Sequence, residues 1–530
     1  MRLTALLLLA HATALRGRRR WRDRGGFTTT PEPQREGWTF RTRDLFTEEE
    51  PLSEKKWTFS TRDLLARRKP KKVLMLMSDT GGCHRASANA LKQALLARYN
   101  VQVDLLDIWT AAGVFPWSSS PRAYSYMGKR PMIWRAFFYG ALAASRDRCD
   151  SCLSHDDVGG FFSDFEMLRA GTAFYPVRLV TRLLHDFSLR RRFKKILRGQ
   201  EPDLVVSVHP MCQHVPLSAR TWLEKVLKRP VKFATVVTDL GSAHPMWFDK
   251  RVDACFVPTQ RLAKLGRYYG VSNVINYGLP LRREFSQKRL SKDRARKKLG
   301  LDRNSSTVLV TGGGDGFGSL EKIVEEVAKE LAGSNAQLVV ICGRNEEVRQ
   351  RLLERDWPVR MEVRGFVSDM NLYMEASDVL LTKAGPGTIA EAAALGLPVL
   401  LTGFLPGQER GNVLWVREKN IGELAKSPQR AARTVAKWLR DQDALIEMSR
   451  NAKAAAKPKA TDRIAEDLMG LVEGVASFSV SRVLRDLKDE WSLYGALNST
   501  RVAVAELRDQ LAVRSVPLEA WLERYRGVAA

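Results

Sequence analysis

From residue 72 onward the chain alternates between two patterns. Short apolar runs (73–77, 103–108, 204–208, 233–237, 255–258 and 274–277) are punctuated by polar stretches, several of them holding Gly, Pro or His, and segments of helical composition lie among them at 86–99 and 178–197. Brief apolar runs bounded by turn signals read as buried strands, and their alternation with helices predicts a parallel sheet. The pattern breaks at 281–303, RREFSQKRLSKDRARKKLGLDRN, which reads as a charged linker carrying one solvated helix. It then restarts with strands at 308–311, 337–342 and 359–363 and helices at 320–331 and 370–377. Residues 380–412 follow as an apolar strand, a Gly-Pro-Gly turn, an Ala-rich helix, a second apolar strand and a polar loop. Residues 428–473 read as two helices. Two such arrays predict an α/β protein with two Rossmann-like domains facing a cleft, at 72–280 and 304–474, and a further helical, charged tail over 475–530.

Composition narrows the class. The chain has 530 residues, 44% hydrophobic and 27% charged, enough for two or three domains with full cores. A net charge of +27 calls for an anionic partner, nucleic acid or an acidic membrane surface. The basic residues fall on helices and linkers without a recognisable nucleic-acid module, so no nucleic-acid partner is expected. No run approaches the roughly 18 apolar residues that span a bilayer. The six cysteines are scattered, and Cys149-Asp-Ser-Cys152 is a lone CxxC with no second pair at zinc spacing, so neither a disulfide framework nor a metal site is expected.

The first 35 residues resemble a targeting segment. A short apolar stretch after Arg2 ends in Ala-Thr-Ala at 12–14, and residues 16–24 hold six arginines and one acid. This is the shape of a bipartite plastid presequence, with a secreted or disordered N-terminus as the alternative. Residues 36–71 read as a linker holding the repeat WTFRTRDL at 38–45 and WTFSTRDL at 57–64. Residues 121–140, PRAYSYMGKRPMIWRAFFYG, mix basic and aromatic side chains. They suit either an interfacial membrane segment or a packed amphipathic helix pair.

Three Gly-rich turns follow strands, at 81–82, 312–318 and 385–387, which is where open α/β sheets bind ligands. Gly385, Pro386, Gly387 and Thr388 put bare amides at a helix start, a site suited to a diphosphate. Glu391 stands one turn on, where a carboxylate can accept from ribose hydroxyls. None of the three is a dinucleotide fingerprint, and no Walker lysine follows them.

The motifs SDTGGCHRASA (78–88), SVHPMCQHVPL (207–217), TDLGSAHPMWF (238–248), YGLPLR (277–282), TGGGDGFG (311–318), CGRN (342–345), TKAGPGTIAEA (382–392) and PGQERGN (406–412) resemble, in unbroken order, those of plant and algal monogalactosyldiacylglycerol synthases, in glycosyltransferase family 28. The resemblance runs from about 72 to 472. It implies a GT-B fold and inverting transfer of galactose from UDP-galactose to sn-1,2-diacylglycerol, with no essential metal or cofactor and with activation by anionic membrane lipids. A plastid location follows, peripheral to the envelope or thylakoid membrane after removal of the presequence. A homodimer is left open.

The resemblance also distributes roles. Gly82, Gly312, Gly313, Gly314, Asp315 and Gly316 would line the donor phosphates with the Gly385–Thr388 turn. Gly343, Arg344, Gly365 and Phe366 would line the uracil pocket, and Glu391 the ribose. Gln408 and Glu409 would hold the sugar hydroxyls, with Asn412 supporting their loop. Pro121, His244 and Trp247 would face the lipid acceptor. His84 is the preferred catalytic base and Asp239 its rival. Cys83 stands where a third glycine is expected, and a side chain there makes a left-handed backbone costly. Other readings keep the fold and change the donor to UDP-glucose or the acceptor to a lipid-linked glycan, or make the chain a catalytically impaired homologue.

Overall fold

The computed structural model describes residues 69–78, 82–112, 189–287, 289–312, 320–405 and 408–474. The readings made on 1–68, on 121–140 with Pro121, on Gly313, Gly314, Asp315 and Gly316, and on the tail after 474 lie outside the described residues.

Twelve strands are described: β1 Lys71–Met77, β2 Val101–Asp107, β3 Leu204–Ser207, β4 Lys232–Val236, β5 Ala254–Val257, β6 Val274–Asn276, β7 Ser306–Thr311, β8 Ala336–Ile341, β9 Arg360–Arg364, β10 Val379–Lys383, β11 Val399–Gly403 and β12 Gly422–Leu424. They form two sheets, β2-β1-β3-β4-β5-β6 and β12-β11-β10-β7-β8-β9. Every neighbouring pair is parallel. Parallel strands are covered on both faces, so they are apolar throughout rather than alternating. In the first sheet Leu74, Leu76, Val205 and Phe233 point into one core cluster. Val73, Met75, Met77, Leu204 and Val206 point into another on the opposite face. The second sheet repeats this, with Leu309, Val339 and Leu380 on one side and Val308, Leu338 and Leu381 on the other. Two Rossmann-like halves meet across a cleft, the GT-B arrangement expected from the sequence.

Strand order reverses between β1 and β3 in the first sheet and between β7 and β10 in the second. These switch points open a crevice at the strands' carboxyl ends, and that is where such sheets bind ligands. Three helices start there: α1 (Gly82–Arg98) after β1, α2 (Pro386–Leu395) after β10 and α3 (Arg410–Glu418) after β11. The last described helix is α4 (Ala460–Glu473).

Four expectations change. The charged stretch 281–303 is not a solvated linker. Phe285 and Ala295 are fully buried, and the helix Lys292–Leu299 packs on Met370–Ala376. Buried Arg296 donates to the Ala376 and Arg303 carbonyls and to Asp378, so charge in the sequence is consumed inside the domain. Residues 428–473 form three helices, Pro428–Arg440, Gln442–Ala455 and α4, rather than two. Although α4 lies late in the sequence, Ile464, Ala465 and Leu468 pack into a core cluster of the first sheet. Tyr277 Oη donates to Asp467 and Leu281 N donates to Thr461 Oγ1, both in α4. Finally, α1 begins at Gly82 rather than at 86, so Cys83 is helical and not among the residues of positive φ. The backbone cost expected of a cysteine there does not arise.

Candidate active site

The first-domain side of the cleft is built from the ends of β1, β3 and β4. His84 sits in the first turn of α1, only 6% exposed. Its Nδ1 lies 2.9 Å from the Val208 carbonyl oxygen and 2.8 Å from Thr238 Oγ1. A carbonyl only accepts, so Nδ1 carries the ring proton and Nε2 keeps its lone pair. The ring stands edge-on to His209, with centroids 4.5 Å apart. Burial pushes His84 down to about 4 and His209 well below the usual range, so both rings are neutral near pH 7.

Asp239 follows β4 and is 7% exposed. Trp247 donates its indole N–H to Asp239 Oδ2 at 2.6 Å. Burial is the main cause that raises the carboxyl to about 7; the Trp247 bond opposes it, and the charge of Glu409 across the cleft adds to it. A carboxylate poised there is half-ionised at working pH, the condition that suits a general base.

The second-domain side is built around α2. Gly385 caps this helix in extended conformation and Pro386 opens its first turn, while Gly396, at φ 70°, ends it. Between them lies an Ala-rich run whose Ala392, Ala393 and Ala394 are buried. Glu391 is paired with Arg282, and burial still raises its carboxyl above the usual range. The register of β10 against β11 shifts between Thr382 and Lys383. Beyond that shift Lys383 Nζ donates to Glu409 Oε1 at 3.0 Å, and Leu405 N donates to Glu409 Oε2 at 2.8 Å. Glu409 is therefore held at both oxygens. Farther along the sheet, Gly343 (φ 61°), Arg344, Gly365 and Phe366 converge at the ends of β8 and β9. The Arg344 guanidinium lies 5.7 Å from the ring of Phe366, which is 65% exposed. This is a flat cationic and aromatic ledge facing outward.

The two sides touch. A Cβ on Gly387 would lie 3.2 Å from Cys83 Sγ, and the Gly387 amide bonds that sulfur. The N-termini of α1 and α2 thus meet head to head. Two positive dipole ends in contact favour an anion between them. A second contact joins Gly241 to Gly411, where a Cβ on Gly241 would fall 1.9 Å from the Gly411 carbonyl oxygen. Asn412, 1% exposed, bridges the domains with one amide. It accepts from Gly241 N and donates to the Ala384 carbonyl, each at 2.9 Å.

The structure brings His84, Asp239, Gly82, Gly385, Pro386, Gly387, Thr388, Gln408, Glu409 and Asn412 to one cleft, with Glu391 one turn down α2. Gly312 ends β7 beside β10, at the same switch point. His244, read from the sequence as a lipid contact, is half-buried, and its Nδ1 accepts from Met246 N to cap the short turn Pro245–Trp247. Trp247, read as another, is fully buried in the first-domain core, with its indole N–H on Asp239. Sequence reasoning missed His209, Thr238, Arg282 and Lys383 as site residues. All four stood inside the quoted motifs, but their partners are 26 to 154 residues away, His209 meeting His84 edge-on. Among the described residues no group of three or more His, Cys, Asp or Glu side chains is set to hold a metal ion.

Comparison with known proteins places the chain. A family model described as Monogalactosyldiacylglycerol (MGDG) synthase matches residues 171–281, and one described as Glycosyltransferase family 28 C-terminal domain matches 307–464. The chain is 37% identical over 414 residues to monogalactosyldiacylglycerol synthase 1, chloroplastic, of Arabidopsis thaliana, covering 76% of this chain and 72% of that protein. It is 38% identical over 416 residues to the chloroplastic monogalactosyldiacylglycerol synthase of Spinacia oleracea, covering 76% and 73%. Among solved structures, MurG of Acinetobacter baumannii aligns over 76% of this chain and 99% of its own, at 14% identity and a TM-score of 0.46.

Proposed function

The chain belongs to the monogalactosyldiacylglycerol synthase family, and on that premise we propose that it transfers galactose from UDP-galactose to sn-1,2-diacylglycerol with inversion at the anomeric carbon. The observation that carries this reading is the meeting of the α1 and α2 N-termini beside Asp239, with Glu409 held across the cleft. Bare amides and helix dipoles can stabilise a leaving diphosphate, the task a metal ion performs in other transferases. No cofactor is invoked. The Arg344–Phe366 ledge suits a uracil ring, Glu391 suits the ribose hydroxyls, and Glu409 with Gln408 suits the galactose hydroxyls.

In the proposed step the acceptor's free hydroxyl oxygen attacks the anomeric carbon from the face opposite UDP. The carbon–oxygen bond to the β-phosphate breaks, UDP leaves with the electron pair, and the hydroxyl proton passes to a base. Two groups can take that proton: His84 Nε2, which keeps its lone pair because Nδ1 donates to the Val208 carbonyl, and the Asp239 carboxyl, which burial raises to about 7.

The strongly basic chain fits peripheral attachment to an anionic plastid membrane. No helix among the described residues is long and apolar enough to cross a bilayer. The test is an assay of the full chain with diacylglycerol in phosphatidylglycerol vesicles and radiolabelled UDP-galactose or UDP-glucose. Monogalactosyldiacylglycerol formed from UDP-galactose is the expected product; glucolipid alone, or no lipid product, would overturn the reading.

A further inference from the structure

The proposed step leaves Lys383 without a task. Lys383 is the last residue of β10, and Glu409 stands at the head of α3, beyond β11. β11 holds one extra residue between them: Thr382 pairs with Leu401 and Lys383 with Gly403, so Thr402 is passed over. An extra residue of this kind bends the strand and re-aims side chains beside a site. The Lys383 stem runs along the cap of α2, with Cε 3.9 Å from where a Cβ on Gly385 would stand. Its ammonium reaches past that cap to Glu409 Oε1 at 3.0 Å.

Glu409 is the N-cap residue of α3, yet its side chain bonds none of that helix's amides. It turns back instead to Lys383 and to Leu405 N, and it is only 4% exposed. A carboxylate buried to that degree needs a partner for its charge, and Lys383 supplies one. The pair lies between the two walls of the cleft: the charge of Glu409 acts on Asp239 and that of Lys383 on Cys83.

A carboxylate turns broadly about its terminal torsion unless both oxygens are held. We propose that Lys383 is a positioning residue that sets donor-sugar specificity: its ammonium pins Glu409 Oε1 while Leu405 N pins Oε2, so that the second lone pair of each oxygen meets a hexose hydroxyl in one orientation. This rests on the reading of Glu409 as the contact to the galactose hydroxyls. Galactose and glucose differ only in the direction of the C4 hydroxyl. An acid clamped at both oxygens accepts from one direction and leaves the other sugar's hydroxyl unpaired, whereas an acid that turns serves both. The ammonium is engaged by Glu409, so Lys383 acts on the sugar and not on the diphosphate.

Lys383→Met keeps the stem and deletes the ammonium. In the full chain, with diacylglycerol in phosphatidylglycerol vesicles, its kcat/KM for UDP-galactose should fall about 30- to 100-fold, and the preference over UDP-glucose should shrink about tenfold or more. UDP, which carries no hexose, should bind within about threefold of the parent by calorimetry, a measurement that also reports folding. In a Glu409→Gln background the same change should cost less than about twofold, since the two residues act as one unit. If the methionine variant fails to fold, Lys383→Gln, which keeps a donor without the charge, carries the comparison. A loss of UDP affinity as large as the loss of kcat/KM would overturn the inference and make Lys383 a diphosphate ligand. An unchanged preference between the two donors would overturn it as well and make the pair a brace for the loop. Glu409→Gln with parental kcat/KM for UDP-galactose would instead overturn the reading of Glu409 on which it rests, so the failures are distinguishable.

Discussion

Arg282 reaches from the segment that leaves the first domain to Glu391 in α2, with Nε and Nη2 both on Oε1 at 3.2 and 3.1 Å. The guanidinium lies 5.0 Å from the Phe285 ring, which fixes it from behind. Both donors use Oε1, and the pairing opposes the burial that raises the Glu391 carboxyl. Glu391→Gln should raise the UDP-galactose KM about tenfold or more, the loss of a charge-assisted bond worth roughly 1.5–3 kcal/mol. Initial rates at saturating diacylglycerol measure this. An unchanged donor KM would take Glu391 out of the site.

The two base candidates predict different pH profiles. With Asp239 raised to about 7, kcat/KM should climb about tenfold per unit below that limb and level off above it, since the group must be ionised to take a proton. A base at His84, lowered to about 4, would give a flat profile from pH 5 to 8. A titration of kcat/KM over that window decides between them.

The Gly241–Gly411 contact leaves no room for a methyl group. Gly411→Ala would place its Cβ 2.4 Å from Ser242 Oγ and 2.6 Å from the Gly241 carbonyl carbon, so the domains must part at that point. Activity should fall more than about 100-fold, in line with the cost of displacing reacting groups by an ångström. Each half should keep its fold. Gly403→Ala, where a Cβ meets nothing within 4 Å, is the control and should retain activity. Solution scattering of the two variants reports whether the loss follows from opening of the cleft.

Cys83 is only partly buried by its surface, yet its thiol is held at about 12 by desolvation and by the charge of Asp239. Iodoacetamide at pH 8 should leave it unmodified in the folded protein, because the thiolate is roughly a thousandfold scarcer than in a free cysteine. Peptide mass spectrometry before and after unfolding reads this directly. Rapid labelling of the native chain would show that the cleft opens often in solution.

The sheets were legible because parallel strands must be apolar on both faces, and runs such as VLMLM and LVVS can satisfy nothing else. The Gly-rich turns were legible because strand ends and helix starts leave few alternatives for Gly-Pro-Gly. Long-range pairings were not. Nothing local marks Arg282 as the partner of Glu391, which lies in the other domain, or Lys383 as the partner of Glu409, 26 residues on at the end of a neighbouring strand's loop. Arg296 misled for the same reason. A charged helix reads as solvated until Asp378 and two carbonyls are known to meet it. Trp247 shows the reverse case, an aromatic read as an acceptor contact whose ring lies in an apolar cluster with its one polar atom on Asp239.

Helix α4 returns the chain to the domain it left, so the halves are joined by two strands of backbone rather than one. Those strands lie side by side: Gly278, at φ 107°, faces Lys457, and Thr461 both accepts from Leu281 N and donates to the Leu281 carbonyl. Two tethers pinned together form an axle. An opening of the cleft would have to turn about that line, and would bring Asp239 and the α2 turn back along the same arc. It also follows that neither half is self-sufficient, because a cut near 281 strips α4 from the sheet it covers and leaves that apolar face bare to solvent.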